Sequence, residues 1–171
     1  MQDENKPARA GNARPAQKPG YSPRAAATKI LAAVIDRKTS LDGMLDSDNG
    51  NAVYRSLTPD DQGLCRALVL TALRHKPMIE AAISALLDRP LPSGARALSH
   101  VLTIAAAQIL YLDVPDHSAV DIAVEQANAD PRNKRFAGLV NAVLRKLARQ
   151  KERTLSRIAG ISPLPGWFLE R

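Results

Sequence analysis

Between Pro115 and Arg149 the chain joins two amphipathic segments by a basic turn, Asp130-Pro131-Arg132-Asn133. In the second segment, advancing about 100° per residue from Arg135 places Phe136, Leu139, Val140, Val143, Leu144 and Leu147 in one broad apolar stripe. Arg135, Lys146, Arg149 and Arg153 fall in a narrow sector about a quarter to a third of a turn away. The apolar period is helical, so this segment must press one side into a core and keep a row of cations in water. A row of cations on a rigid scaffold is how small helical proteins hold a phosphate backbone.

The rest of the chain supports such a core. Of 171 residues, 45% are hydrophobic but only 4% aromatic, so the core of a single domain must be built from Leu, Ile, Val and Ala. Abundant alanine with few strand signals points to helices packed closely, an all-α domain. No apolar run approaches the roughly 18 residues of a membrane span, and the polar N-terminus has no apolar core of a secretory signal. The lone Cys65 excludes an internal disulfide and fits a reducing cytoplasm, the expected location. The formal net charge of +7 reads either as a solvated basic surface or as a surface for a polyanion, most simply nucleic acid. An acidic membrane is a poorer partner, because the basic helix lacks Trp and Phe anchors.

Residues 1–22 carry Lys6, Arg9, Arg14 and Lys18 among Pro, Gly, Asn and Gln, the composition of a disordered basic tail. Ser22 as cap and Pro23 in the first turn open a helix whose buried edge is Ala27, Ile30, Leu31 and Val34. Thr39 with Asp42 resembles a capping box for a short piece from Leu41 to Leu45, and Asp46 to Asn51 is a loop. Thr58-Pro59-Asp60-Asp61 starts a helix bearing Leu64, Leu68, Ala72 and Leu73 inward. Pro77 ends or kinks it, and a further helix carries Ile79, Ile83, Leu86 and Leu87 up to the break at Arg89-Pro90-Leu91-Pro92. A strongly apolar helix follows from Ser93 to Leu112, with Ala105, Ala106 and Ala107 suited to close contact on several sides. Val120, Ala123, Val124 and Ala127 mark the inner face of the helix before the basic turn. Beyond about Gln150 the periodicity weakens, so residues 23–150 form the domain and 151–171 a linker that ends in the apolar Trp167-Phe168-Leu169.

Nothing in the sequence looks catalytic. No glycine cluster forms a nucleotide-binding loop. His75, His100 and His117 lack metal-ligand spacing and read as core-edge or capping residues. Cys65, flanked by Leu64 and Leu68, reads as a buried structural thiol. Asp60 and Asp61 are explained by the helix N-terminus they occupy.

Asp113, Pro115, Ala119, Val120, Ala123, Val124 and Glu125, followed by Leu139-Val140-Asn141 and Val143-Leu144-Arg145-Lys146, resemble the two spaced motifs of the NusB-type RNA-binding domain. Leu73-Arg74 and Gln108-Ile109-Leu110-Tyr111-Leu112 look like two further motifs of that family, so the likeness covers roughly residues 23–150. It implies a helical bundle of two packed three-helix sub-bundles that binds RNA. The chain departs from the pattern at Asp121-Ile122, at Ala105 and Ala107, and in its first helix, where only Arg24 and Lys29 remain of the Arg-rich RNA contact of stand-alone members. Ser22-Pro23-Arg24-Ala25-Ala26-Ala27 and Pro165-Gly166-Trp167-Phe168-Leu169-Glu170-Arg171 look like the start and end of the version that precedes rRNA 5-methylcytosine methyltransferases.

That resemblance implies a chain without catalytic residues or cofactor of its own, the front part of an enzyme whose later domain carries the catalytic cysteines and binds S-adenosylmethionine. The expected partners are RNA, in particular small-subunit rRNA, and the catalytic domain of the same protein. Arg24, Lys29, Arg132, Lys134, Arg135, Arg145, Lys146 and Arg149 are the candidate RNA contacts. Two other readings stay open from sequence. One is a stand-alone antitermination or ribosome-assembly factor acting with a small ribosomal protein; the other is a helical module that binds only proteins.

Overall fold

A computed structural model describes residues 16–164 of the chain. Those residues form nine α-helices and two single 3-10 turns, with no strand among them. The helices are α1 (Tyr21–Arg37), α2 (Leu41–Met44), α3 (Ala52–Arg55), α4 (Pro59–Arg74), α5 (Lys76–Ser84), α6 (Arg96–Tyr111), α7 (Asp116–Ala129), α8 (Ala137–Arg149) and α9 (Lys151–Ile158).

Helix α6 is buried on every side, with His100, Thr103 and Gln108 the polar residues among the buried stretch from His100 to Leu110. A helix with no solvent face has to be wrapped all round. Helices α1 and α4 cover it from one direction and α7 and α8 from another, while α5 and α9 close the remaining side. The contacts group α1, α4 and α6 on one side and α6, α7 and α8 on the other, so the helical bundle is built around α6 rather than as two separate three-helix units. Ala105, Ala106 and Ala107 project no more than a methyl each, which lets neighbouring helices approach α6 closely.

Two polar ties lock α1 onto α6. Arg24 Nε donates to Gln108 Oε1 at 2.7 Å and its Nη1 to the Gly20 carbonyl at 2.9 Å, while Gln108 Nε2 donates to the Ile104 carbonyl at 3.1 Å. At the other end of α1, Asp36 Oδ2 accepts from His100 Nε2 at 2.8 Å and its Oδ1 pairs with Arg96 Nε at 3.1 Å. Thr28 Oγ1, 3.0 Å from Gln126 Oε1, fastens α1 to α7.

The sequence-based boundaries need six corrections. Helix α5 ends at Ser84, short of Leu86 and Leu87, and Ser93–Ala95 is a 3-10 turn ahead of α6, which begins at Arg96. Helix α1 starts at Tyr21, two residues before Pro23, because Gly20 at φ 80° caps it and the Ser22 hydroxyl turns to Gln17 Oε1 instead. The left-handed φ of Gly20 is one that residues with a side chain rarely adopt, and a side chain there would also crowd Arg24 Nη1. The cap of α2 is Ser40, which accepts from the Gly43 amide, and not Thr39. Helix α3 is new: Asn51 caps it by accepting from the Val53 and Tyr54 amides, and Tyr54 fills the core. Residues 151–158, expected to open the linker, form α9, which buries Thr154 and Ile158. Two turns are too short for a persuasive periodicity. Lys6, Arg9 and Arg14 of the expected basic tail, and the apolar end at Trp167, lie outside the described residues; Lys18 lies within them, 3.7 Å from Glu125.

Two changes test these ties. Gln108→Leu strands the Arg24 guanidinium without its buried acceptor and should lower stability by about 1–3 kcal/mol, read as a lower urea midpoint. His100, whose hydrogen bond is the main cause, and Arg96 hold the Asp36 carboxyl below its ordinary 3.8. The stability this adds is full above that value and is lost as the pH falls through the lower, folded one. Asp36→Asn should therefore flatten the loss of stability in acid below about pH 4, measured by urea titrations across that range.

Candidate nucleic-acid interface

From Pro131 to Lys151 the chain has no Asp or Glu, while Arg132, Lys134, Arg135, Arg145, Lys146, Arg149 and Lys151 all lie within it. The run holds no carboxylate of its own and is bounded by Asp130 and Glu152. The fold then decides which of them share a surface.

Asp130, at the end of α7, builds the turn. Its carboxylate accepts from the Arg132 backbone amide at 2.9 Å, from Arg132 Nη2 at 3.1 Å and Nε at 3.3 Å, and from Asn133 Nδ2 at 3.4 Å. Its carbonyl accepts from the Asn133 and Lys134 amides, both at 2.9 Å, and Asn133 is buried beneath. The Arg132 hydrogen bonds hold the Asp130 carboxyl below its usual range and raise the Arg132 guanidinium in turn. Arg132 remains 80% exposed, so the outer part of its guanidinium faces water.

A 3-10 turn, Lys134–Phe136, follows. Phe136 is half-buried against the core, and the Arg135 guanidinium lies over its ring at 4.6 Å. Helix α8 then buries Val140, Val143, Leu144 and Leu147, which settles its orientation. Arg145, Lys146 and Arg149 are exposed away from that core face. Arg145 is steadied by Nε donating to Asn141 Oδ1 at 2.9 Å. Leu139, expected in the apolar stripe, is 36% exposed at its margin. Lys134, Arg135, Lys146 and Arg149 form no ion pair among the described residues.

Lys29 joins this surface from another element. It is exposed on α1 and lines a cleft of about 810 Å³ that Arg132, Asn133, Ala25, Val101 and Ala129 line as well. Arg24 does not join it. At 6% exposure, with its guanidinium committed to Gln108 and Gly20, Arg24 is a core residue and cannot reach a phosphate. The four-cation sector inferred from uniform 100° steps also needs correction. Helix α8 ends at Arg149, and Arg135 sits in a 3-10 turn, so only Lys146 and Arg149 of that set share its register. Sequence reasoning passed over Lys151 and Arg157 on α9, although the acid-free run already extends to Lys151.

Cys65, His75 and His100 are engaged in the fold, whereas His117 is exposed near the start of α7 and makes no capping hydrogen bond. Burial pushes the Cys65 thiol up to about 12. The His75 ring stacks on Tyr111 with centroids 3.8 Å apart, and His100 is engaged by Asp36. No described helix is long and apolar enough to cross a membrane.

The NusB family model matches residues 21–149. The chain is 34% identical over 151 residues to the ribosomal RNA small subunit methyltransferase B of Vibrio vulnificus, covering 86% of this chain and 34% of that protein. The protein of the same name from Xanthomonas campestris is 36% identical over 149 residues, covering 87% and 32%, and that from Pectobacterium carotovorum 32% identical over 157 residues, covering 90% and 35%. The chain thus spans about a third of the length of the curated relatives it matches.

The protonated, buried state of Cys65 has a direct readout. In the folded protein at about pH 8 its thiol should react with a disulfide reagent only as fast as the protein opens, and at once in denaturant. Reaction within seconds in the native state would contradict its placement.

Proposed function

The chain belongs to the NusB family, and from that premise we propose that it is the N-terminal, RNA-binding part of a small-subunit rRNA methyltransferase. Its task is to hold rRNA by the phosphate backbone and present it to a catalytic domain of the same protein. The observation that carries this reading is the acid-free cationic run from Pro131 to Lys151, displayed on a turn and a helix whose other face is locked in the core.

The contacts we assign are Lys29 and Arg132 in the lining of the cleft, Lys134 and Arg135 on the turn, and Arg145, Lys146 and Arg149 along α8. Contacts of this kind fix register and orientation while carrying little sequence information. Methyl transfer to a cytosine is assigned to the parent protein. S-adenosylmethionine, the methyl donor of that chemistry, finds no fitting site among the described residues. They contain no strand to lead into a Gly-rich cofactor loop, and Cys65 is too buried and too weakly acidic to serve as nucleophile. We assign the cofactor and the catalytic cysteines to the two thirds of the relatives' length that this chain does not cover. The chain's own chemistry is binding and orientation.

A salt titration tests the reading. The chain should bind small-subunit rRNA with an affinity that falls steeply with salt, and Lys146→Gln with Arg149→Gln should flatten the log–log slope by about 1.4–1.8, two phosphate contacts' worth. Unchanged affinity and slope in that variant would remove this face from the interface.

A further inference from the structure

The cleft that Lys29 and Arg132 line carries more than two cations. At about 810 Å³ it falls within the range of about 300–1,000 Å³ that small-molecule sites occupy. Two amide side chains in its lining keep half of their hydrogen-bonding capacity unused. Asn133 is only 3% exposed, and its Nδ2 donates to Asp130 Oδ2 at 3.4 Å, which leaves Oδ1 with no donor among the described residues. Gln126 Oε1 accepts from the Thr28 hydroxyl at 3.0 Å, which leaves Nε2 with no acceptor among them. A side-chain carbonyl sunk as deeply as that of Asn133 needs a donor, and the cleft is where one can enter. The lining therefore holds a free acceptor and a free donor, the two functions with which amide side chains read the edge of a base.

An aromatic ring lines the same cleft. Tyr21 stands half-buried at the start of α1, whereas Tyr54 is buried in the core and Tyr111 is stacked on His75. Unpaired bases of RNA are held by stacking on such rings and by hydrogen bonds to their edges. A paired base has that edge taken up by its partner. An acidic side chain of a protein would answer Lys29 and Arg132, but it would bring no donor to Asn133 Oδ1 and no flat ring to Tyr21.

We infer that this cleft receives one unpaired nucleotide of the bound RNA. Lys29 and Arg132 hold its phosphate, Tyr21 meets the face of its base, and Gln126 and Asn133 meet the edge. The inference rests on the RNA-binding reading above and adds a base contact to the backbone contacts along the turn and α8.

The test uses four RNA pentamers that carry A, C, G or U at the centre and are abasic elsewhere, together with a fully abasic pentamer of the same charge. Their affinities for the 171-residue chain are compared by fluorescence anisotropy at one low salt concentration, beside small-subunit rRNA. At least one base-bearing pentamer should bind about fivefold or more tightly than the abasic one, the gain expected of a stacked base. Tyr21→Leu should abolish that gain, and Tyr21→Phe, which keeps the ring, should retain it. Gln126→Met keeps the length of the side chain without its amide and should reduce the gain about threefold. Urea midpoints show that each variant is folded. Pentamers that bind no better than the abasic strand, or a gain indifferent to both Tyr21→Leu and Gln126→Met, overturn the inference and leave the RNA-binding reading standing. A pentaglutamate peptide that binds as tightly as the best pentamer marks a general anion site and overturns it too. Failure to bind rRNA and every pentamer overturns both readings.

Discussion

Everything in this fold depends on burying α6 from all directions. A helix buried around its circumference cannot rest on one partner, so the chain supplies α1 and α4 on one side, α7 and α8 on another, and α5 and α9 to close the ring. The helical bundle is built around one central element for that reason. The few buried polar groups are paired where they cross between elements, as with Arg24 and Gln108, because an unpaired buried donor costs more than the pair contributes.

The cationic face is a consequence of the same packing. Helix α8 is held to the core by Val140, Val143, Leu144 and Leu147, so Arg145, Lys146 and Arg149 have no option but water. The turn that feeds α8 is organised by Asp130, the last carboxylate before the acid-free run, which uses its side chain and its carbonyl to fix the backbone from Arg132 to Lys134. Lys29 reaches the same region only because α1 and α7 lie side by side, fastened by Thr28 and Gln126.

The helices were legible from sequence where the physics was local. Thr58 with Pro59, the apolar run of α6 and the stripe of α8 each declared themselves through caps or periodicity, and the structure has them in those places. What escaped was decided by contacts distant in sequence. Arg24 looked like a surface cation because nothing near it in the chain reveals Gln108, 84 residues away. The start of α1 is tied to the same side chain, since the capping Gly20 accepts from Arg24 Nη1. Helix α9 has too few residues to show a period and is defined by the core it seals. For the candidate surface, Lys134, Arg135, Arg145, Lys146 and Arg149 were legible as exposed cations, while the placing of Lys29 and Arg132 in the lining of one cleft required the fold.

The central claim is that RNA lies on the turn after α7 and along the outer face of α8. Amide chemical-shift mapping of the isotopically labelled chain with rRNA added reads that location directly. The account predicts that the largest shifts cluster at Asn133 to Arg135 and at Ala142 to Arg149, with Lys29 beside them and α4 and α5 silent. Shifts confined to α4 and α5, with α8 unmoved, would contradict it.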